Sequence, residues 1–176
     1  MYRVVKILDK EFLDELVWMY DNNLLATQPA GVVGRDRNGR FNTVDRSQRS
    51  TTRITTADPR LYPELCEPLE KYVDDGTKVH QFDFLIYEVG DHFAKHQDVI
   101  KGGTERYWST ITLLDRTDDL EGGELNIYNG DSKETVRFDI GETVVFRSNL
   151  YHEVLPVTKG TRKVLVVWLI TACQNI

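Results

Sequence analysis

The sequence predicts a mainly β protein, a jelly-roll barrel backed by two N-terminal helices. After residue 75 the chain becomes a series of short runs rich in Val, Ile, Phe, Tyr and Thr, the residues that are enriched in strands. Turn sequences separate these runs: Gly102-Gly103, Gly122-Gly123, Asn129-Gly130-Asp131, Ile140-Gly141 and Lys159-Gly160. Such connections suit antiparallel hairpins and barrels, and they are too short for the helical crossovers of a parallel sheet.

Two amphipathic helices are predicted ahead of the barrel. The first lies between Leu8 and Leu25, and Asp9 is placed to cap its amino end. Its apolar residues recur at three- and four-residue spacing: Phe12, Leu13, Leu16, Val17 and Tyr20. The second helix follows Pro59, where Pro63 and Pro68 are expected to confine or bend it. Its apolar stripe is formed by Leu61, Leu65, Leu69 and Tyr72.

Six strands are predicted after the helices, at residues 79–89, 107–114, 124–128, 134–138, 143–147 and 163–170. A chain of 176 residues with 40% hydrophobic residues suits one domain. We therefore expect a single domain over residues 1–176, with a helical layer at about 1–75 and a barrel at about 79–172.

Composition and charge disfavour several classes of function. A net charge of −6 argues against a surface that neutralises many phosphates, so a nucleic-acid partner is not expected. No apolar run is long enough to span a bilayer, and the N-terminal residues lack the apolar core of a signal peptide. We expect a soluble, cytoplasmic protein. Cys66 and Cys173 have no neighbouring Cys or His partner, which predicts buried thiols.

Residues 34–53 form an arginine-rich segment between the two helices, with Arg35, Arg37, Arg40, Arg46, Arg49 and Arg53. The segment has no apolar period, and such polar stretches often cannot bury enough surface to order themselves. Two interpretations remain open. One is a solvated loop, and the other is a mobile lid over a binding site.

His96-Gln97-Asp98 is the first candidate for a metal site. On a strand, residues i and i+2 project from the same face, so one metal could contact both side chains. Alone the motif is weak, since a polar turn can contain the same residues. His152, 56 residues further on, adds a third ligand if the barrel brings the two strands together. Two imidazoles and one carboxylate suit non-haem Fe(II), whereas zinc hydrolysis usually has an HExxH motif, which is absent.

Arg162 lies just ahead of the apolar run Val164 to Ile170. One interpretation is a guanidinium exposed to water at the edge of the barrel. The other is a partner for a dicarboxylate: Arg162 would bind one carboxylate of the ligand while the opposite end of the ligand chelates the metal.

Several blocks together resemble the Fe(II)/2-oxoglutarate oxygenases, nearest the prolyl 4-hydroxylase branch. They are Tyr87 to Asp98, Gly102-Gly103 with Arg106, Glu121 to Leu125, Gly141 to Phe146, and His152 to Trp168. The resemblance covers roughly residues 80 to 170. It implies a double-stranded β-helix in which His96, Asp98 and His152 bind Fe(II) and Arg162 binds the C5 carboxylate of 2-oxoglutarate. It also implies that Tyr87 faces this cosubstrate and that Trp168 lies near the iron.

The resemblance further implies a hydroxylase that consumes 2-oxoglutarate and dioxygen, with ascorbate as an accessory, and releases succinate and CO2. The carboxylate of Asp98 favours hydroxylation over halogenation. A prolyl residue in a peptide or protein is the expected substrate, and a free amino acid or other small molecule is the alternative. For the latter, Arg46, Arg49 and Arg53 could bind its carboxylate. A nucleic-acid dealkylase and a non-catalytic metal-binding barrel are weaker alternatives. His92 is expected at the rim and His80 in a structural role.

Overall fold

The computed structural model describes residues 2–22, 28–29, 32–35, 41–43, 46–55, 59, 62–73, 76–99 and 106–171. Two helices are present in this part of the chain, α1 (Lys10–Asp21) and α2 (Pro63–Val73). The strands are β1 (Arg3–Val5), β2 (Gln28–Pro29), β3 (Val32–Arg35), β4 (Phe41–Thr43), β5 (Arg49–Ser50), β6 (Thr52–Thr55), β7 (Thr77–Tyr87), β8 (His92–His96), β9 (Arg106–Arg116), β10 (Glu121–Gly122), β11 (Leu125–Asn129), β12 (Ser132–Val136), β13 (Thr143–Arg147), β14 (Tyr151–Val154), β15 (Val157–Lys159) and β16 (Arg162–Thr171).

Two antiparallel sheets form the barrel, which is the predicted jelly roll. The major sheet has the strand order β1-β13-β9-β16-β7-β6-β2, and the minor sheet has the order β12-β11-β14-β8-β5. Most neighbours in these sheets are far apart in sequence; β16, for example, lies between β7 and β9. This topology brings residues near position 90 beside residues near position 150.

The major sheet separates two hydrophobic cores. The inner core lies between the two sheets and includes Val164, Val166 and Trp168 of β16. The outer core lies between the major sheet and the helices and includes the alternate residues Leu165, Val167 and Leu169. Because successive side chains of a strand point to opposite faces, a strand buried on both sides is an unbroken apolar run.

The helices cover the outer face of the major sheet. As predicted, Asp9 caps α1, and its Oδ1 accepts hydrogen bonds from the amides of Glu11 and Phe12 at 2.8 and 3.3 Å. Pro63 begins α2, where a missing amide hydrogen has no cost, and Pro68 lies within the helix. Both helices contribute leucines to the outer core: Leu13, Leu16, Leu65 and Leu69.

The six predicted strands correspond to β7, β9, β11, β12, β13 and β16, but β8 and β14 were not predicted. Both strands are short, and their polar side chains obscure the alternation of apolar and polar residues that predicts a strand. The placement of His96 and Asp98 on one strand is wrong, because β8 ends at His96 and Asp98 follows it. Residues ahead of position 75 also contribute strands, among them β1, β5 and β6, besides the helices. The single-domain organisation stays a prediction.

The lid hypothesis for residues 34–53 depends on residues 36–40 and 44–45, which lie outside the described part of the chain, as does Cys173. Where this segment is described, Arg49 and Ser50 pair with Phe93 and His92 of β8. Cys66 is only half-buried, and its thiol donates to the carbonyl of Pro59 at 3.2 Å. Neither helix of the described residues is long and apolar enough to cross a membrane.

Candidate active site

His96, Asp98 and His152 come together inside the barrel, as the sequence predicted. β8 and β14 are neighbours in the minor sheet, and His152 pairs directly with His96, so their ring centroids are 4.1 Å apart. Asp98 lies two residues beyond β8, where its amide donates to the carbonyl of Ser148 at 2.9 Å. One ligand atom from each residue lies within 4.8 Å of the others. A single metal ion can therefore contact all three side chains.

Backbone carbonyls orient the two imidazoles. Nδ1 of His96 is 2.8 Å from the carbonyl of Ala94, and Nδ1 of His152 is 3.1 Å from the carbonyl of Leu150. Each Nδ1 therefore carries the proton, which leaves the Nε2 lone pair for a metal. The Nε2 atoms lie 3.5 and 3.6 Å from the Asp98 carboxylate. Nε2 of His96 is buried and has no hydrogen-bond partner among the described residues. This donor set fits Fe(II).

Asp98 is ionised in this site although it is buried. Burial alone would raise the pKa of its carboxyl, but His152, His96 and a hydrogen bond from Ser109 together hold the pKa well below its usual range. Ser109 Oγ donates to Oδ2 at 2.6 Å and is itself 2.9 Å from Ser148 Oγ. Burial lowers the pKa of His152 to about 4. The site therefore contains an anionic carboxylate and a neutral His152, which are the forms that bind a metal.

Arg162 is the first residue of β16 and only 4% of its surface is exposed, so the alternative of an edge guanidinium in water is wrong. Its Nη1 donates to the carbonyl of Gly123, whereas its Nε is buried without a hydrogen-bond partner in the described ranges. No ion pair to a carboxylate is formed within those ranges. Burial lowers the pKa of the guanidinium. A buried cation with an unpaired donor suits a carboxylate ligand.

The Gly122-Gly123 turn explains how Arg162 is packed. Both glycines have positive φ angles, 76° and 71°. A Cβ on Gly122 would collide with the carbonyl oxygen of Pro156, and one on Gly123 would lie 3.1 Å from Cδ of Arg162. A cavity of about 870 Å³ reaches Arg162 here and is also lined by Leu113 and Leu125. The metal-binding residues do not line it, so the cavity marks the Arg162 end of the barrel.

The other predicted site residues lie at different distances from this centre. Tyr87 is buried opposite Arg162, whose guanidinium carbon is 5.5 Å from the tyrosine ring centroid; burial raises the pKa of its hydroxyl. Trp168 is buried in the inner core, and its backbone pairs with that of Ser109, the residue that hydrogen-bonds Asp98. His92 Nε2 contacts the carbonyl of Ser47 at 3.3 Å and is not in the metal cluster. His80 is exposed within β7.

Sequence reasoning missed several polar residues that the barrel buries near this centre. Ser109 and Ser148 are buried, and so are Asp83 of β7 and Arg106 of β9. The sequence contains two signals for these residues. Asp83 interrupts the apolar run Phe82 to Tyr87, and Arg106 belongs to the blocks that carry the family resemblance, although no role was assigned to it. The serines lie in ordinary strand and turn sequences, and nothing in their neighbours indicates a role.

Comparisons with known proteins agree with this geometry. A family model described as the 2OG-Fe(II) oxygenase superfamily matches residues 82–170, half of the chain. A PKHD-type hydroxylase from Gloeothece citriformis is 37% identical over 95 residues, a match that covers 52% of this chain and 43% of the relative. A Pseudomonas putida prolyl-4-hydroxylase structure gives a TM-score of 0.69 at 17% identity and covers 97% of this chain and 92% of its own.

A viral collagen prolyl hydroxylase from Paramecium Bursaria Chlorella virus-1, solved as its 2OG complex, gives a TM-score of 0.71 at 13% identity and covers 97% of this chain and 96% of its own. At such identities the structural likeness shows the fold alone, the double-stranded β-helix. The match to the Gloeothece citriformis relative spans less than half of that protein's length. The family model, however, includes both β7 to β9 and β14 to β16, which carry the metal-binding cluster and Arg162. The chain belongs to the 2OG-Fe(II) oxygenase superfamily, a family that implies Fe(II) as the cofactor and 2-oxoglutarate and dioxygen as cosubstrates.

Proposed function

We propose that the chain is an Fe(II)- and 2-oxoglutarate-dependent hydroxylase in which His96, Asp98 and His152 hold the metal. The observation that supports this most directly is the orientation of the two imidazoles, whose Nε2 atoms lie 3.5 and 3.6 Å from one buried carboxylate. Bound Fe(II), with 2-oxoglutarate and dioxygen, supplies the oxidising power that inserts oxygen into a C–H bond, with release of succinate and CO2.

The chain's own residues bind and orient the reactants. Arg162 is proposed to hold the C5 carboxylate of 2-oxoglutarate through the donor that is left unpaired, beside the hydroxyl-bearing Tyr87. Ser109 holds Asp98 in place, and Phe93 stacks on His96 with ring centroids 3.5 Å apart. Trp168 lies one strand away, beside Ser109. The apolar inner core excludes water around this site.

We further propose a prolyl residue in a peptide or protein as the substrate. The proposal is supported by the PKHD-type relative and by structural neighbours whose names describe prolyl hydroxylases. The second candidate is a free amino acid, because Arg49 and Arg106 are buried close to the metal-binding residues. The net charge of −6 favours both candidates over nucleic-acid dealkylation.

The test is turnover by the Fe(II)-loaded chain with 2-oxoglutarate and dioxygen. Proline-containing peptides should stimulate succinate formation and gain one oxygen atom, measured by mass spectrometry. His96→Ala and Asp98→Ala should reduce succinate to background and abolish binding of Co(II), while circular dichroism shows that the fold is kept. His92→Ala is the matched control, since this histidine lies four residues from His96 and outside the cluster. Wild-type succinate formation by His96→Ala would contradict the assignment.

A further inference from the structure

Two buried cations besides Arg162 lie inside the barrel. Arg106 is the first residue of β9 and is 7% exposed, and Arg49 of β5 is 5% exposed. We call these two residues the arginine pair. Neither is needed to hold a metal or the C5 carboxylate of 2-oxoglutarate. A buried guanidinium is costly unless an anion compensates it, so the burial of Arg106 needs an explanation.

Arg106 is incompletely paired. Its Nη2 donates to Oε1 of Gln81 at 3.1 Å, and its guanidinium carbon lies 4.0 Å from the ring centroid of Trp168. Its Nε is buried without a hydrogen-bond partner, as is Nε1 of Trp168, and Arg106 forms no ion pair with any carboxylate of the described residues. Two donors beside each other therefore lack an acceptor among the residues that the structure describes.

The nearby carboxylates already have partners. Asp83 and Asp98 both attract the charge of Arg106, but at longer range. Asp98 is placed between two histidines and Ser109, and Asp83 accepts a hydrogen bond from Gln81 Nε2 at 3.1 Å. Neither carboxylate is in direct contact with Arg106, so neither supplies the missing acceptor.

Arg49 lies close to the metal cluster. Its guanidinium carbon is 4.5 Å from the ring centroid of Phe93, and this ring stacks on His96. The charges of Arg49 and Arg106 repel each other. A region with two like charges near the metal attracts an anion.

Arg106 belongs to a different site from Arg162. Along β9 and β16, Arg106 pairs with Ile170, whereas Arg116 pairs with Arg162. These positions are eight residues apart on β16, which is roughly 26 Å of strand. Ser109, which holds Asp98, lies three residues from Arg106. Arg106 is therefore at the metal end of the barrel. A 2-oxoglutarate molecule whose C5 carboxylate contacts Arg162 cannot also reach Arg106.

We propose that Arg106, assisted by Arg49, binds a carboxylate group of the organic substrate beside the metal. The inference rests on the proposed hydroxylase function and specifies its substrate class. A planar carboxylate matches the fork of guanidinium donors, and the indole Nε1 of Trp168 adds a neutral donor. Such a group is present in a free amino acid or at the C-terminus of a peptide that ends with the reacting residue. An internal prolyl residue does not have it.

The experiment compares matched acids and amides on the full chain loaded with Co(II) and 2-oxoglutarate, so that no turnover is needed. One arm uses L-proline and L-prolinamide, and the other uses Ala-Ala-Pro as its free acid and as its C-terminal amide. We expect the acid of at least one pair to bind about tenfold or more tightly than its amide by calorimetry, as a charge-assisted hydrogen bond predicts. Preference in the first arm alone identifies a free amino acid, and preference in the second identifies a peptide terminus.

Arg106→Gln should abolish the acid preference and leave the Kd of Co(II) and of 2-oxoglutarate unchanged. Arg106→Lys, which keeps the charge without the fork, should retain a reduced preference even if the glutamine variant does not fold. Arg3→Gln, at an exposed arginine of β1, is the control. Absence of an acid preference in both arms, or its persistence in Arg106→Gln, would overturn the proposal. Weaker 2-oxoglutarate binding by Arg106→Gln would also overturn it, because the arginine would then serve the cosubstrate.

Discussion

The fold holds the His152 imidazole in its neutral form, which is the form that binds a metal. Only 4% of its surface is exposed, and Phe146 contacts its ring with centroids 4.8 Å apart. Burial disfavours the charged imidazolium, and the nearby Asp98 only partly opposes this effect. The imidazole is therefore neutral near pH 7, and protons would compete only weakly with a metal at this residue.

The lowered pKa of His152 predicts how the stability of the metal-free protein depends on pH. The pKa falls from the ordinary histidine value of 6.5 to about 4 in the folded chain. Below pH 6.5 His152 binds a proton in the unfolded chain but not in the folded chain. The free energy of unfolding therefore decreases as the pH falls from 6.5 towards 4. The full loss is about 3 kcal/mol, since one pKa unit corresponds to about 1.4 kcal/mol. Asp98 contributes only at lower pH, because its pKa is depressed below the ordinary value of 3.8.

Urea unfolding in the presence of a chelator, at about pH 7, 6 and 5, measures this effect. His152→Gln should remain folded and show a flatter dependence over the same interval, because glutamine does not titrate. His92→Gln serves as a comparison for loss of a histidine outside the metal cluster. The same slope in wild type and His152→Gln would show that another group is responsible.

The turn between β10 and β11 is an element that positions the proposed cosubstrate-binding residue, Arg162. Gly122 and Gly123 bring the chain so close to Pro156 and Arg162 that no other residue fits without displacement. The carbonyl of Gly123 accepts a hydrogen bond from Arg162 and thereby fixes the direction of the guanidinium. The glycines thus act through Arg162 and do not contact the metal cluster.

Gly123→Ala should weaken 2-oxoglutarate binding about tenfold and leave the Kd of Co(II) unchanged. The added Cβ would lie 3.0 Å from Val157 Cγ2 and 3.1 Å from Arg162 Cδ, so Arg162 must move. Gly130→Ala is the matched control, because Gly130 also has a positive φ, of 60°, but nothing lies within 4 Å of its Cβ position. Both variants should lose about 1–2 kcal/mol of stability from the backbone strain. Equal 2-oxoglutarate affinities in the two variants would remove the role of Gly123.

At the scale of the whole molecule, the sequence predicted the parts of the site that have a local signature. His96, Asp98, His152 and Arg162 were all recognisable from residue type and spacing, and the barrel brings the first three together. Arg106 and Ser109 were not assigned any role in binding, because their burial depends on how β9 pairs with β13 and β16. The apolar run of β16 predicted a strand, but a run buried on both faces does not reveal which residues face the site.

The division of the molecule into two cores predicts that stability and cosubstrate binding can be changed separately. Leu65 of α2 is fully buried in the outer core, and Leu125 of β11 is 1% exposed in the inner core, where it lines the cavity that reaches Arg162. Leu65→Ala and Leu125→Ala remove the same atoms, and each should cost about 2–5 kcal/mol of unfolding free energy. The major sheet lies between Leu65 and the site, so only the inner substitution changes the walls of the cavity proposed to hold the cosubstrate.

We therefore expect the Kd of 2-oxoglutarate for the Co(II)-loaded protein to stay within about twofold of wild type in Leu65→Ala and to rise several-fold in Leu125→Ala, since well-separated substitutions act independently. Calorimetry at a temperature where both variants are folded, with urea unfolding on the same samples, measures the two quantities. If Leu65→Ala weakened 2-oxoglutarate binding as much as Leu125→Ala, the major sheet would transmit packing changes from the helices to the site, and the two cores would be one cooperative unit.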